Sequence, residues 1–161
     1  MATDAVLREV KLTLPLDANM EIAASKTAMA MAEMMSMGTD RIDEVRMAVV
    51  EACINAIEYS RAEDGKVHLT FEVLGADATD PRVLRITVRD SGVGFAPEGV
   101  EEPRIEQKLT SENKRGWGLK IIRGLMDDVE IESGAGGTSI VMTKARADDG
   151  PGSDAGVAGE G

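Results

Sequence analysis

The sequence predicts an α+β fold: a two-layer α/β sandwich, with a mixed, mostly antiparallel sheet and its helices on one face. Three observations carry this. The strand patterns come as adjacent pairs, 67–73 with 82–89 and 129–132 with 138–144. Hairpins produce such pairs, whereas a doubly wound parallel fold alternates strand and helix one for one. Two helical stretches follow one another between the first and second strands. Finally, most strands alternate apolar and polar residues, as in a sheet covered on one side only.

The elements follow in order. In residues 7–14, Val10, Leu12 and Leu14 share one side, and Pro15 ends the strand. Residues 19–37 are rich in Ala and Met without internal Gly or Pro, which predicts a helix stopped by Gly38. Thr39 and Asp40 are capping residues and open a second helix to about residue 60. Asp64-Gly65 is a turn, followed by Val67, Leu69, Phe71 and Val73 alternating with polar residues in a strand. A loop at 75–81 leads into the strand at 82–89. Periodicity then vanishes over 96–115, a stretch long enough for a compact domain to signal function. A helix is predicted over 116–126, and a Gly-rich turn joins the last two strands. Residues 147–161 hold little to bury and read as a disordered acidic tail behind a single domain at 1–146.

Composition narrows the function. The formal net charge of −11 is the opposite of the footprint that a nucleic-acid binder needs. Bound nucleotide remains compatible with it, because a few backbone N–H groups and one or two cations suffice for a phosphate. Aromatic residues make up only 2% of the chain and Met occurs 10 times, so the core must be aliphatic and Met-filled. The one cysteine, Cys53, cannot form an internal disulfide. With no basic leader and no long apolar run, the chain reads as cytoplasmic, without membrane association.

On a wheel of about 100° per residue, the second helix is apolar over most of its surface. Glu44, Glu51, Asn55 and Glu58 gather in one narrow sector. That sector must face solvent or a polar cavity, because a buried unpaired carboxylate is costly. Glu51 and Asn55 lie one turn apart on the same face. A carboxylate can accept a proton, and a carboxamide oxygen can ligate a hard cation such as Mg²⁺. Such a pair beside a cavity suits phosphoryl transfer.

In the strand at 82–89, Leu84, Ile86 and Val88 face one side, and the next residue on that side is Asp90. A buried carboxylate stays ionised where it accepts a good hydrogen bond, and the exocyclic amine of adenine is such a donor. Gly92 and Gly94 would let the backbone approach a flat ring. On its own this motif is also an ordinary β-turn. In the run Lys114, Arg115, Gly116, Trp117, Gly118 and Leu119, a Gly-rich turn feeding a helix would aim N–H groups at an anion, beside two cations. Judged alone, this too is also a flexible helix entry.

Taken in order, EACINAIEY (51–59), DSGVGF (90–95), RGWGLKII (115–122) and GGTSI (136–140) resemble the N box and the three glycine boxes of the GHKL, or Bergerat-fold, ATPases. Within that superfamily, LMDDVEIESGAGGTSIVMTK (125–144) and the compact length resemble the anti-sigma-factor serine kinases of bacterial partner-switching systems. The resemblance spans residues 7 to 146. It implies ATP and Mg²⁺ as cofactors, with Glu51 as general base, Asn55 as Mg²⁺ ligand and Asp90 as the adenine-binding carboxylate. It places Gly92 and Gly94 beneath the adenine, Gly116 and Gly118 at the phosphates, Thr138 beside the adenine and an ATP lid at 96–115. Many relatives carry His where Tyr59 stands, and Trp117 is bulkier than the usual residue between the two glycines.

The activity implied is that of an ATP-dependent serine/threonine protein kinase and anti-sigma factor that phosphorylates a STAS-type anti-anti-sigma protein. Relatives of this type commonly form homodimers. Two other functions remain: an ATP-holding module that sequesters a partner without phosphoryl transfer, and a stand-alone histidine-kinase-like ATPase domain. The only histidine, His68, lies on the polar face of a strand, so the last would need its histidine from another protein.

Overall fold

The computed structural model describes residues 4–59, 62, 64–92 and 111–147. Its elements run β1 (Ala5–Pro15), α1 (Met20–Met34), α2 (Thr39–Tyr59), β2 (Lys66–Gly75), β3 (Pro81–Asp90), α3 (Ser111–Leu125), β4 (Asp128–Gly134) and β5 (Gly137–Ala145). The five strands form one sheet in the order β1-β2-β3-β5-β4. Every pairing is antiparallel, so the sheet is not mixed. Among the described residues the expected parallel component is not found, because β3 and β5, which α3 and β4 separate in sequence, also run in opposite directions.

The sheet buries one face. Val67, Leu69, Phe71 and Val73 of β2 are buried, as are Leu84, Ile86 and Val88 of β3 and Ile140 and Met142 of β5. Their alternation is what a strand needs to present one apolar side. The helices cover that side, with α2 packed against both α1 and α3. From α2 come Val45, Ala48, Val49, Ala52 and Cys53, all fully buried, and small residues there let the helix approach the sheet closely. The open face is polar, and at its centre Arg85 makes a two-pronged ion pair with Glu72 at 2.8 and 3.1 Å.

Register carries the buried face across the strands in rows. Leu14, Val67, Asp90 and Thr138 align in one row, and Leu12, Leu69, Val88 and Ile140 in the next. The first row begins apolar and ends in a carboxylate and a hydroxyl, and that end defines the candidate site.

Three element ends differ from expectation. α1 stops at Met34, before Gly38, because Ser36 takes the left-handed position at φ 61°. The Ser36 N–H bonds the Glu33 carbonyl and the Met37 N–H the Ala32 carbonyl, which together close a Schellman motif. Gly38 instead starts α2, its carbonyl accepting the Ile42 N–H at 3.0 Å. Thr39 is therefore inside the helix and not its cap. α3 begins at Ser111, five residues before the expected start at Gly116. Gly116 and Gly118 are thus interior helix residues whose N–H groups lie beyond the free first turn. Gly94, most of the proposed lid and residues 148–161 of the tail lie outside the described residues.

Candidate functional site

Asp90 closes the apolar face of β3 and is 6% exposed. Its Oδ1 accepts the Gly92 N–H at 3.0 Å, so the chain turns back over its own carboxylate immediately after the strand. Across the sheet, Thr138 is opposite Asp90 in register. The Thr138 hydroxyl lies 2.9 Å from that of Ser133 on β4. Gly137 precedes it at φ 119°, a conformation that L side chains rarely adopt. A Cβ there would overlap the Asp90 carbonyl oxygen and approach the Ser91 Cα to 2.7 Å. The turn after β3 and the β4–β5 hairpin are in contact only because Gly137 has no side chain.

A second tie holds the same strand end from the open face. Asp64 accepts hydrogen bonds from the Lys66 N–H at 3.1 Å, the Ser91 hydroxyl at 3.3 Å and His68 Nε2 at 2.9 Å. The bond to His68 is the main reason that the Asp64 carboxyl sits below its usual range. His68 is therefore paired with the carboxylate that also holds the Ser91 hydroxyl.

Facing Asp90 across the layer is Asn55, 6% exposed on the buried side of α2. Its Nδ2 has no hydrogen-bond partner among the described residues. Buried polar atoms are nearly always satisfied, so this amide is an exception among the described residues. Gly118 of α3 backs onto this carboxamide, and a Cβ at that position would lie 3.0 Å from both Asn55 Nδ2 and Oδ1. Asn55, Asp90, Leu119 and Thr138 line one cavity with Ala52, Ala56, Val88 and Ile140. Ala52, Ala56, Val88, Leu119 and Ile140 form its apolar lining, and Asn55, Asp90 and Thr138 its polar one. In this state the cavity measures about 10 Å³, room for about one water molecule.

Glu51 lies one turn before Asn55, half-buried and outside the cavity lining. Burial pushes its carboxyl above the ordinary glutamate value, and the charge of Glu58 adds to this. A raised value makes a carboxylate a better proton acceptor. The sequence thus located Glu51, Asn55, Asp90, Gly92, Gly118, Leu119 and Thr138 in one region of the fold. Gly116 is buried in α3, and Trp117, half-buried beside it, lies under the Lys120 ammonium at 5.8 Å. The side chains of Lys114 and Arg115 lie outside the described residues. Sequence reasoning missed the wall residues Ala52, Ala56, Val88 and Ile140. Their signal was available as a small-residue pair one turn apart on α2 and as the strand positions two before Asp90 and two after Thr138.

Asn55, Asp90 and Thr138 thus meet on one small cavity between α2, α3 and the sheet, and the class so defined is a two-layer α+β domain with a polar cluster at the end of its central strands. The chain belongs to the histidine kinase-like ATPase domain family, which it matches over residues 14–144. ATP use follows from that membership. The chain is 34% identical over 109 residues to the anti-sigma F factor of Bacillus velezensis, covering 65% of this chain and 70% of that one. It is 27% identical over 141 residues to the serine-protein kinase RsbW of Bacillus thuringiensis, covering 84% of each. Among solved structures it is similar to the RsbU and RsbW domains of a Mycobacterium tuberculosis protein, with a TM-score of 0.61 and 19% identity. That match covers 85% of this chain and 32% of the other, so it supports the fold alone. No helix among the described residues is long and apolar enough to cross a membrane.

Proposed function

We propose that this protein is an ATP-dependent serine/threonine kinase and anti-sigma factor of a partner-switching system, and that it phosphorylates a STAS-type anti-anti-sigma protein. The observation that carries the reading is the pairing of Asp90 and the orphan Asn55 carboxamide on one cavity, in a chain similar to both anti-sigma F factors and serine-protein kinases. Asp90 accepts a hydrogen bond from the adenine amine, while Val88, Ile140, Ala52 and Ala56 cover the ring. Asn55 would hold Mg²⁺ through its carboxamide oxygen, and the ion would supply charge neutralisation at the phosphates.

In the transfer step, the substrate hydroxyl oxygen forms a bond to the γ-phosphorus while the bond from that phosphorus to the bridging oxygen of ADP breaks. Glu51 takes the hydroxyl proton. Because the transition state is loose, positioning and charge neutralisation supply most of the acceleration. The assay is transfer of labelled γ-phosphate to a co-purifying STAS-type protein. Glu51→Gln keeps the shape and removes the base, so transfer should slow by about 10²–10⁴ while Mg·ATP still binds. Asn55→Ala should weaken Mg²⁺-dependent binding itself. If Glu51→Gln transfers at the wild-type rate, Glu51 is not the base. A wild type that binds partners and phosphorylates none of them is a sequestering module instead.

A further inference from the structure

Among the described residues β1 is an outer strand of the sheet, and its far edge faces no other strand. It is 11 residues long and presents there a row of backbone N–H and C=O groups that a further strand can pair with. Edges that stay single are kept so by Pro, by bulges or by charge. Here Pro15 stands at the last position and the bulge lies between Val6 and Arg8, which leaves residues 8–14 regular. Val6 and Val10 remain 47% and 39% exposed, and Ile22 and Met34 are exposed on α1, which packs beside β1. A groove of about 130 Å³ opens where Leu7 and Arg8 of β1 meet Met34 and Met35 at the end of α1.

The charges on the strand choose its occupant. An edge guarded by one sign of charge repels a second copy of itself in every register, but Arg8, Glu9 and Lys11 are mixed. Val10 and Leu12 lie opposite Phe71 and Leu69 on the buried face, and Glu9 and Lys11 lie opposite Glu72 and Thr70 on the open face. A second copy related by a two-fold axis normal to the sheet runs antiparallel and keeps both helix layers on one side. Only residues of the same face then meet, so the axis passes through a residue and not between two. Axes through Arg8, Glu9 or Lys11 set like charges face to face, which is destabilising. An axis through Leu12 opposes no unlike charges. The axis through Val10 sets Glu9 of each copy opposite Lys11 of the other, twice, and packs Val10 on its own counterpart. Arg8 then lies opposite Leu12, along which its aliphatic stem can rest.

We propose that β1 pairs with β1 of a second copy of this chain, antiparallel about a two-fold axis at Val10, and so joins the two five-stranded sheets into one. The inference is independent of the nucleotide reading, since β1 contributes no residue to the cavity at Asn55 and Asp90.

Sedimentation velocity of the purified full chain over a concentration series should show a dimer. Glu9→Lys sets like charge against Lys11 twice and should raise the dimer dissociation constant about 10- to 100-fold. Glu9→Lys combined with Lys11→Glu restores the attraction and should return the constant to within about threefold of wild type. Both side chains are exposed, so these substitutions spare the fold. Val10→Cys tests the register. Facing Cα atoms in an antiparallel pair are about 4.5–5.5 Å apart, within reach of a disulfide, so this variant should cross-link into a covalent dimer in a glutathione redox buffer. Thr13→Cys, displaced from its counterpart by six residues or about 20 Å along the strand, should not. The native Cys53 is buried and does not compete. A chain that is monomeric at every concentration overturns the proposal. So does a dimer whose constant is unchanged by Glu9→Lys, or one that Thr13→Cys cross-links and Val10→Cys does not, because its copies meet elsewhere. A chain that dimerises only after removal of residues 148–161 overturns it too, since the tail and not a second copy then holds the edge.

Discussion

Asp90 shows how far one side chain can be argued. Its place on the buried face follows from alternation alone, since Leu84, Ile86, Val88 and Asp90 share one side of β3. The Gly92 N–H supplies one hydrogen bond to the carboxylate, and an adenine amine would supply another. Asp90→Asn places an amide where the carboxylate accepted, which removes a charge-assisted bond of about 1.5–3 kcal/mol. That corresponds to about 10- to 150-fold in ATP affinity, read by calorimetric titration of a variant whose circular dichroism is unchanged. Gly118 supports a second prediction, in which two effects oppose. Alanine in a helix interior is favoured over glycine by about 1 kcal/mol, yet its Cβ would sit 3.0 Å from the Asn55 carboxamide. The carboxamide is the end of a short side chain in a packed site and must shift by tenths of an ångström to make room. Gly118→Ala is therefore expected to leave the melting temperature unchanged or slightly raised while Mg·ATP binding weakens. Equal binding by both proteins would show that Asn55 does not need its present position.

At the scale of elements, what the sequence revealed is what local periodicity encodes. All eight elements were legible in type and order, because alternation and the helical period are properties of contiguous residues. Asp90 was legible for the same reason, whereas Thr138 came only from the family resemblance. The start of α3 was not, because Gly116 and Gly118 look like a turn. The structure gives Gly118 another use: it lets a helix lie against Asn55, a contact between segments 63 residues apart. The pairing of the buried Lys144 was equally hidden, since its partners Glu44, Leu125 and Asp127 come together only in the folded chain. α2 adds a prediction that depends on pH. The Glu51 carboxyl lies above its ordinary value chiefly through burial, then through Glu58. The folded state therefore favours its protonated form, and the stability so contributed is lost as pH rises from the ordinary glutamate value through the raised one. Glu51→Gln removes that loss. The variant should match wild type in acid and be equally or slightly more stable at neutral pH, by chemical denaturation at both pH values. The difference should be small, because the side chain is only half-buried and water screens it. A variant clearly less stable at neutral pH would mean that Glu51 is held by a stabilising partner.

The whole molecule couples the site to the fold. Asn55 and Asp90 belong to the same two layers that bury Phe71, Leu84 and Ile86, and α3 closes both the core, through Ile122, and the cavity, through Leu119. A ligand that enters this cavity binds the native state and has nothing to bind in the unfolded chain. Mass action then fixes the size of the effect: ATP at 100 times its dissociation constant stabilises the fold by about 2.7 kcal/mol. For a domain of this size each kcal/mol moves the melting temperature by about 2–4 °C, so the shift should be about 5–10 °C. Asp90→Asn should show little of it at the same ATP concentration. Removal of residues 147–161 should preserve it, because that Gly-rich acidic segment has too little apolar surface to offset the entropy of ordering. Differential scanning calorimetry of the three proteins, with and without Mg·ATP, reads all three outcomes in one experiment. A truncated protein that melts several degrees lower without nucleotide would show that the tail docks on the domain. A truncated protein that melts normally but no longer responds to ATP would show that the tail belongs to the binding site.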